Sequence, residues 1–207
     1  MPSHDHELLL HLLTEQPMVL ASLLPDLVGV QDVLTAVPST YSDLVATEYR
    51  ADAALLVGQP PRLALVVEVQ LKRDPQKRWS WPVYLTTLQA RAKLPAQLVV
   101  VTISASVAEW ARGPFLLADD LPWCPHVIGP DQLIEFVTPD RAHSIVELGV
   151  LSLMAHARTK RIPSEGLGRA TFEGITNAQA RLANDTRKLY SDAALAAIAR
   201  SMQHAVE

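Results

Sequence analysis

The stretch "EYRADAALLVGQPPRLALVVEVQ", Glu48 to Gln70, decides the fold. Two strand-like apolar runs flank a Gly-Gln-Pro-Pro segment whose residues favour a turn, which predicts a β-hairpin. With the turn centred near Pro60, residues whose numbers sum to about 120 face each other, so Asp52 lies opposite Glu68. The second arm begins as an unbroken apolar strand and then acquires Glu68 and Gln70. Charge is not placed in a strand interior without a compensating partner. Side chains alternate along a strand, so Gln70 is expected on the same face as Glu68. Like charges facing each other are destabilising and must either raise a pKa or recruit a cation. Magnesium, commonly held by one or two carboxylates with waters and a phosphate, fits that inventory. The plainer alternative is that Asp52 marks the exposed start of a strand, while Glu68 and Gln70 lie on a solvated face or pair with Arg50 or Lys72.

Downstream, "DPQKRWSWPVYLTTLQARAKLP" (74–95) predicts a helix started by Asp74 and Pro75, with Pro82 as a kink. "AQLVVVTIS" (96–104) is apolar throughout, as expected of a strand buried on both faces. Strand, helix and strand then form a right-handed parallel crossover, and the fold class is α/β. Upstream, "SHDHELLLHLLTEQPMVLASLLP" (3–25) has leucines at helical spacing and predicts two helices broken at Pro17, followed by a short strand near Asp32 to Val37. Further on, "ASVAEWAR" and "DQLIEFV" are helical and "PHVI" is a short edge strand. Beyond about Asp140 only helical patterns remain, in "AHSIVELGVLSLMAHAR" and "TRKLYSDAALAAIARSM", joined by the polar "TKRIPSEGLG". The expected division is an α/β core over 1–140 and a helical C-terminal extension over 141–207.

The 207 residues are 49% hydrophobic and 19% charged, a globular composition. The formal net charge of -4 supplies no global attraction to nucleic acid, so any such interaction must be local. Cys124 is the single cysteine, which excludes an intrachain disulfide and a cysteine-built zinc site. The apolar runs are far shorter than a membrane helix needs, and "MPSHDHE" is too polar for a signal peptide, so a cytoplasmic protein with no membrane partner is expected. No glycine-rich phosphate loop or Gly-x-Ser-x-Gly elbow occurs.

From Glu68 to Lys93 the chain concentrates Lys72, Arg73, Lys77, Arg78, Arg91 and Lys93 against only Glu68 and Asp74. Here is the local basic patch. Arg73, Lys77 and Arg78 can neutralise phosphates, and Trp79 or Trp81 can stack on an unpaired base or pack the helix onto the sheet.

Asp52, then "EVQ" closing an apolar strand, then "RD", "KR" and "PVY", together with the opening "HDHELLLHLL", resemble the PD-(D/E)XK nuclease superfamily. More narrowly, they resemble the recombination-promoting nuclease and putative transposase family, and the resemblance covers roughly Ser3 to Ser104. It implies a restriction-endonuclease-like core of helix, three strands, helix and strand, with a mixed central sheet flanked by helices. It also implies a Mg²⁺-dependent DNA endonuclease, with Mn²⁺ as the alternative ion, linked to recombination, mobile elements or defence. By the same resemblance Asp52 and Glu68 are metal ligands with the Val69 main-chain carbonyl as a third, and Arg78 and Tyr84 stand near the nucleic acid. Glu7 supports the site from the first helix. Gln70 occupies the place where the superfamily more often has lysine, and Lys72, one pleat further along, is the expected substitute cation. The rival readings are a catalytically inactive nuclease-fold module that binds nucleic acid, and a protein-interaction scaffold whose Ala/Leu-rich tail forms a homodimer.

Overall fold

A computed structural model describes residues 3–16, 18–26, 28–29, 31–37, 40–42, 48–118 and 121–203, with the side chains of residues 36, 40–42, 48–49 and 117–118 outside that description. The chain divides into two compact units, residues 1–102 with 106–128, and residues 103–105 with 129–207. Pro17, the expected break between the first two helices, lies outside the described residues.

The first unit opens with helices α1 (His4–Glu15) and α2 (Met18–Leu23) and continues through strands β1 (Leu34–Val37), β2 (Thr40–Ser42), β3 (Glu48–Arg50), β4 (Ala53–Val57) and β5 (Leu63–Val69). Helix α3 (Lys77–Ala92), strand β6 (Ala96–Val101), helix α4 (Ala105–Ala111) and strands β7 (Phe115–Ala118), β8 (Leu121–Trp123) and β9 (His126–Ile128) complete it. Ser3 caps α1, its hydroxyl accepting the N–H of His6. The main sheet is mixed and five-stranded in the order β1-β4-β5-β6-β9. β1, β4 and β5 are antiparallel neighbours, while β6 and β9 run parallel to β5. Helices flank this sheet, so the class is α/β.

The β4–β5 register pairs Ala53 with Val67 and Val57 with Leu63, and one step beyond the ladder it sets Asp52 opposite Glu68. Gly58 at φ +93, followed by Pro60 and Pro61, makes the connection; glycine suits that left-handed backbone because it has no Cβ. One sheet face, with Ala54, Ala64, Val66, Leu98 and Val100, packs against Trp81, Tyr84 and Leu88 of α3. The intervening residues Leu55, Leu65, Val67, Val99 and Val101 are equally buried, so both faces are covered.

Two differences from the sequence reading follow from local chemistry. Glu48–Arg50 is not continuous with β4 but pairs with β2. Helix α3 begins at Lys77 rather than Asp74, because the Asp74 carboxylate accepts the N–H of Gln76 and holds 74–76 in a turn. Pro82, read from sequence as a kink, lies inside this helix.

The second unit is helical: α5 (Pro130–Phe136), α6 (Pro139–Ser144), α7 (Val146–Thr159), α8 (Glu165–Asn177) and α9 (Asn184–Gln203), with a short 3₁₀ turn at Ala178–Ala180. Helix α8 takes in the end of the linker read from sequence, Glu165 to Gly168, and continues into a stretch to which no element was assigned. Ser164 starts it by accepting the Leu167 N–H, and its glycines serve packing. A Cβ on Gly174 would stand 2.6 Å from Val146 Cγ1 and 2.7 Å from the His143 carbonyl. Among the described residues no helix is long and apolar enough to cross a membrane.

Candidate active site

The chemistry gathers where β4 and β5 end. β4 starts only at Ala53, so beside it the N–H of Val69 has no ladder partner, and the Asp52 carboxylate accepts it instead, Oδ2 to N 2.7 Å. Asp52 is thereby fixed in place as the ladder's closing acceptor. Its Oδ2 also lies 3.5 Å from His6 Nε2 on α1.

Glu68 faces α3 and is fully buried. Its Oε2 meets Lys77 Nζ at 2.5 Å and accepts the indole N–H of Trp81 at 3.2 Å. Its Oε1 is buried without a hydrogen-bond partner among the described residues. Burial pushes the Glu68 pKa up; Lys77 and the Trp81 N–H pull it back only in part, and the charge of Asp52 pushes it further up. Burial works against the charge on Lys77, but the attraction and hydrogen bond of Glu68 outweigh it and the ammonium pKa is raised. The buried Tyr84 phenol is likewise pushed up, first by burial, with Lys77 opposing.

Lys77, Trp81 and Tyr84 share one stripe of α3, spaced i, i+4 and i+7. That spacing brings the lysine onto Glu68 as soon as the helix starts. Lys72, the expected substitute cation, does not reach the site through its side chain. β5 stops at Val69, the last ladder bond being Gln70 N–H to the Val101 carbonyl, and the chain turns away so that Lys72 is exposed. With the strand ended, Gln70 turns its Nε2 onto the Lys72 carbonyl at 2.8 Å.

The remaining predicted residues scatter. Tyr84, expected at the nucleic acid, is 5% exposed and sits with its ring 5.7 Å from Lys77 Nζ. Arg73 donates from Nε and Nη2 to the Ser106 carbonyl, tying the post-β5 loop to α4. Arg78 and Trp79 are exposed and stacked on each other. Glu7 is exposed; the α1 residue that meets Asp52 is His6. Sequence reasoning weighed His4 and His6 of the "HDH" opening as a metal pair and set them aside for a cap or solvent role; the structure brings His6 to Asp52.

The donors fit a hard divalent cation in a limited way. Glu68 Oε1 supplies a buried oxygen with no other partner, and Asp52 is held opposite it. Among the described residues no group of three or more His, Cys, Asp or Glu side chains is placed to hold a metal. An ion here would therefore draw most of its shell from water, main chain and substrate phosphate, a mode suited to magnesium. No family model, curated protein or solved structure matches this chain.

Proposed function

We propose that the chain is a metal-dependent phosphodiesterase acting on DNA, its first unit a restriction-endonuclease-like core of the PD-(D/E)XK kind. The observation that carries this reading is Glu68: a wholly buried carboxylate with one oxygen on a lysine, the other without a partner, and a second carboxylate opposite. Asp52, Glu68 and the Val69 carbonyl would hold Mg²⁺ or Mn²⁺, which when bound lowers the pKa of a water and polarises a phosphate. Lys77 takes the part first assigned to Lys72. It offers from α3 the positive charge that Gln70 lacks, beside the oxygens where negative charge develops. With its Nε2 committed to the Lys72 carbonyl, Gln70 would hold water through its amide oxygen.

One observation favours a second reading, an inactive nucleic-acid-binding module. The Lys77 ammonium is already paired with Glu68 and offsets part of its charge.

Supercoiled plasmid incubated with Mg²⁺ or Mn²⁺ separates the two. Nicked or linear product is expected from the wild type, with loss in Asp52→Asn and Glu68→Gln and a fall of about a hundredfold in Lys77→Met. No conversion with either ion, together with no metal-induced rise in melting temperature, would overturn the enzyme reading.

A further inference from the structure

Trp81, Trp110, Phe115 and Trp123 form a linked aromatic cluster, with ring centroids 5.4 Å (Trp81–Trp110), 5.6 Å (Trp81–Phe115) and 6.1 Å (Phe115–Trp123) apart. Trp79 joins none of these contacts among the described residues. It is 63% exposed, and the Arg78 guanidinium lies 4.7 Å from the centre of its ring.

Single exposed leucines are ordinary on protein surfaces. An indole held in the open with a guanidinium over it is a different object, a flat π-surface with a cation fixed beside it. Trp79 stands two positions from Lys77, about 200° around the helix and about 3 Å along it, so it points away from the buried stripe. A strand crossing the N-terminal end of α3 would pass from Lys77 over Arg78 to Trp79.

We infer that Trp79 and Arg78 form a stacking platform for an unpaired base, so that the strand this site takes is single-stranded or locally opened nucleic acid rather than intact duplex. In a duplex both faces of each base are covered by neighbouring bases, and an indole can stack only where one is uncovered. Arg78, exposed beside the ring, takes a phosphate of the same strand. The inference rests on the phosphodiesterase reading for its setting, and its test does not depend on catalysis.

The full chain carrying Asp52→Asn, without divalent metal, is titrated against three fluorescein-labelled probes: a short oligothymidylate, an abasic strand of equal length, and a blunt duplex. Oligothymidylate is expected to bind about tenfold more tightly than the other two, Trp79→Ala to erase that preference, and Trp79→Phe to keep most of it. The abasic strand has the same phosphates, so it isolates stacking from charge. If Trp79→Ala binds oligothymidylate as well as its parent, or if duplex binds equally well, the platform is overturned while the phosphodiesterase reading stands. If no probe binds, the platform is overturned, and the plasmid assay alone decides the phosphodiesterase reading. A base preference that depends on Trp79 in a protein that cuts no plasmid would keep the platform and remove the enzyme.

Discussion

Among the described residues two glutamates, one in each unit, are fully buried, and they are treated differently. Glu147 on α7 receives Arg181, whose Nη1 and Nη2 donate to Oε1 and Oε2 at 2.9 and 3.4 Å. Glu68 receives Lys77, a point charge that engages only Oε2 and leaves Oε1 unpartnered. Arginine's planar fork satisfies both oxygens of a carboxylate, whereas an ammonium need not. The first arrangement closes a structural account. The second leaves a buried oxygen to be answered by something else, which is why the functional reading belongs to Glu68.

The largest test of the contrast is Arg181→Met. It strands a buried carboxylate and should cost on the order of 2–3 kcal/mol, below the full value for a buried pair because water reaches a side chain 38% exposed. The urea midpoint reads this, and an unchanged midpoint would break the comparison. Glu68→Gln should cost less than Arg181→Met, staying within about 1 kcal/mol of the wild type, since it removes a buried charge that Lys77 compensates only in part and leaves an ammonium whose 21% exposed side chain reaches water. If it destabilises the chain as much as Arg181→Met does, the two glutamates serve the same structural purpose.

Titration sharpens the contrast further. The raised Glu68 pKa means that the folded protein binds its proton more tightly than the unfolded chain. Its contribution is therefore full below the ordinary 4.5 and is lost as pH rises through the folded value. In the second unit His156 behaves oppositely. Burial lowers its pKa, the Ser152 carbonyl opposing and Arg161 adding to the fall, so its contribution is present above 6.5 and is lost as pH drops through the folded value. The melting-temperature difference between wild type and Glu68→Gln should turn against the wild type as pH rises from 4.5; with His156→Gln it should turn against the wild type as pH falls below 6.5. A flat difference in either series refutes that assignment.

The smallest stability effect is expected from Asp52→Asn. The amide oxygen can still accept the Val69 N–H, so unfolding free energy should stay within about 0.5 kcal/mol while any metal response disappears. Asp52→Ala, which removes the acceptor, should cost about 1 kcal/mol more by the same urea assay.

The hairpin register was legible because the Gly-Gln-Pro-Pro segment between two apolar runs fixes the turn centre, and the Asp52–Glu68 opposition came with it. Lys77 was not placed correctly, since its position depends on where β5 stops and α3 starts, and boundaries are set by the Asp74 turn and the end of the β5–β6 ladder rather than by any periodic pattern. Helix α8 escaped notice for a related reason. Gly166, Gly168 and Gly174 look like loop residues in isolation, yet Gly174 is the flat spot against which Val146 and the His143 carbonyl pack. The hairpin of β7 and β8 is only 3–4 residues per strand, with its register shifting between Leu116 and Ala118, too short for alternation to register.

The bond from the Val69 N–H to Asp52 has an evolutionary consequence. Because the residue that would hold the metal also closes the sheet ladder, its charge and its hydrogen bond can be inherited separately. A single-base change from an aspartate to an asparagine codon would silence the chemistry while leaving the fold untouched, and the reverse change would restore it. Under the proposed function, a lineage carrying this architecture would pass between cutting and merely binding without crossing an unfolded intermediate.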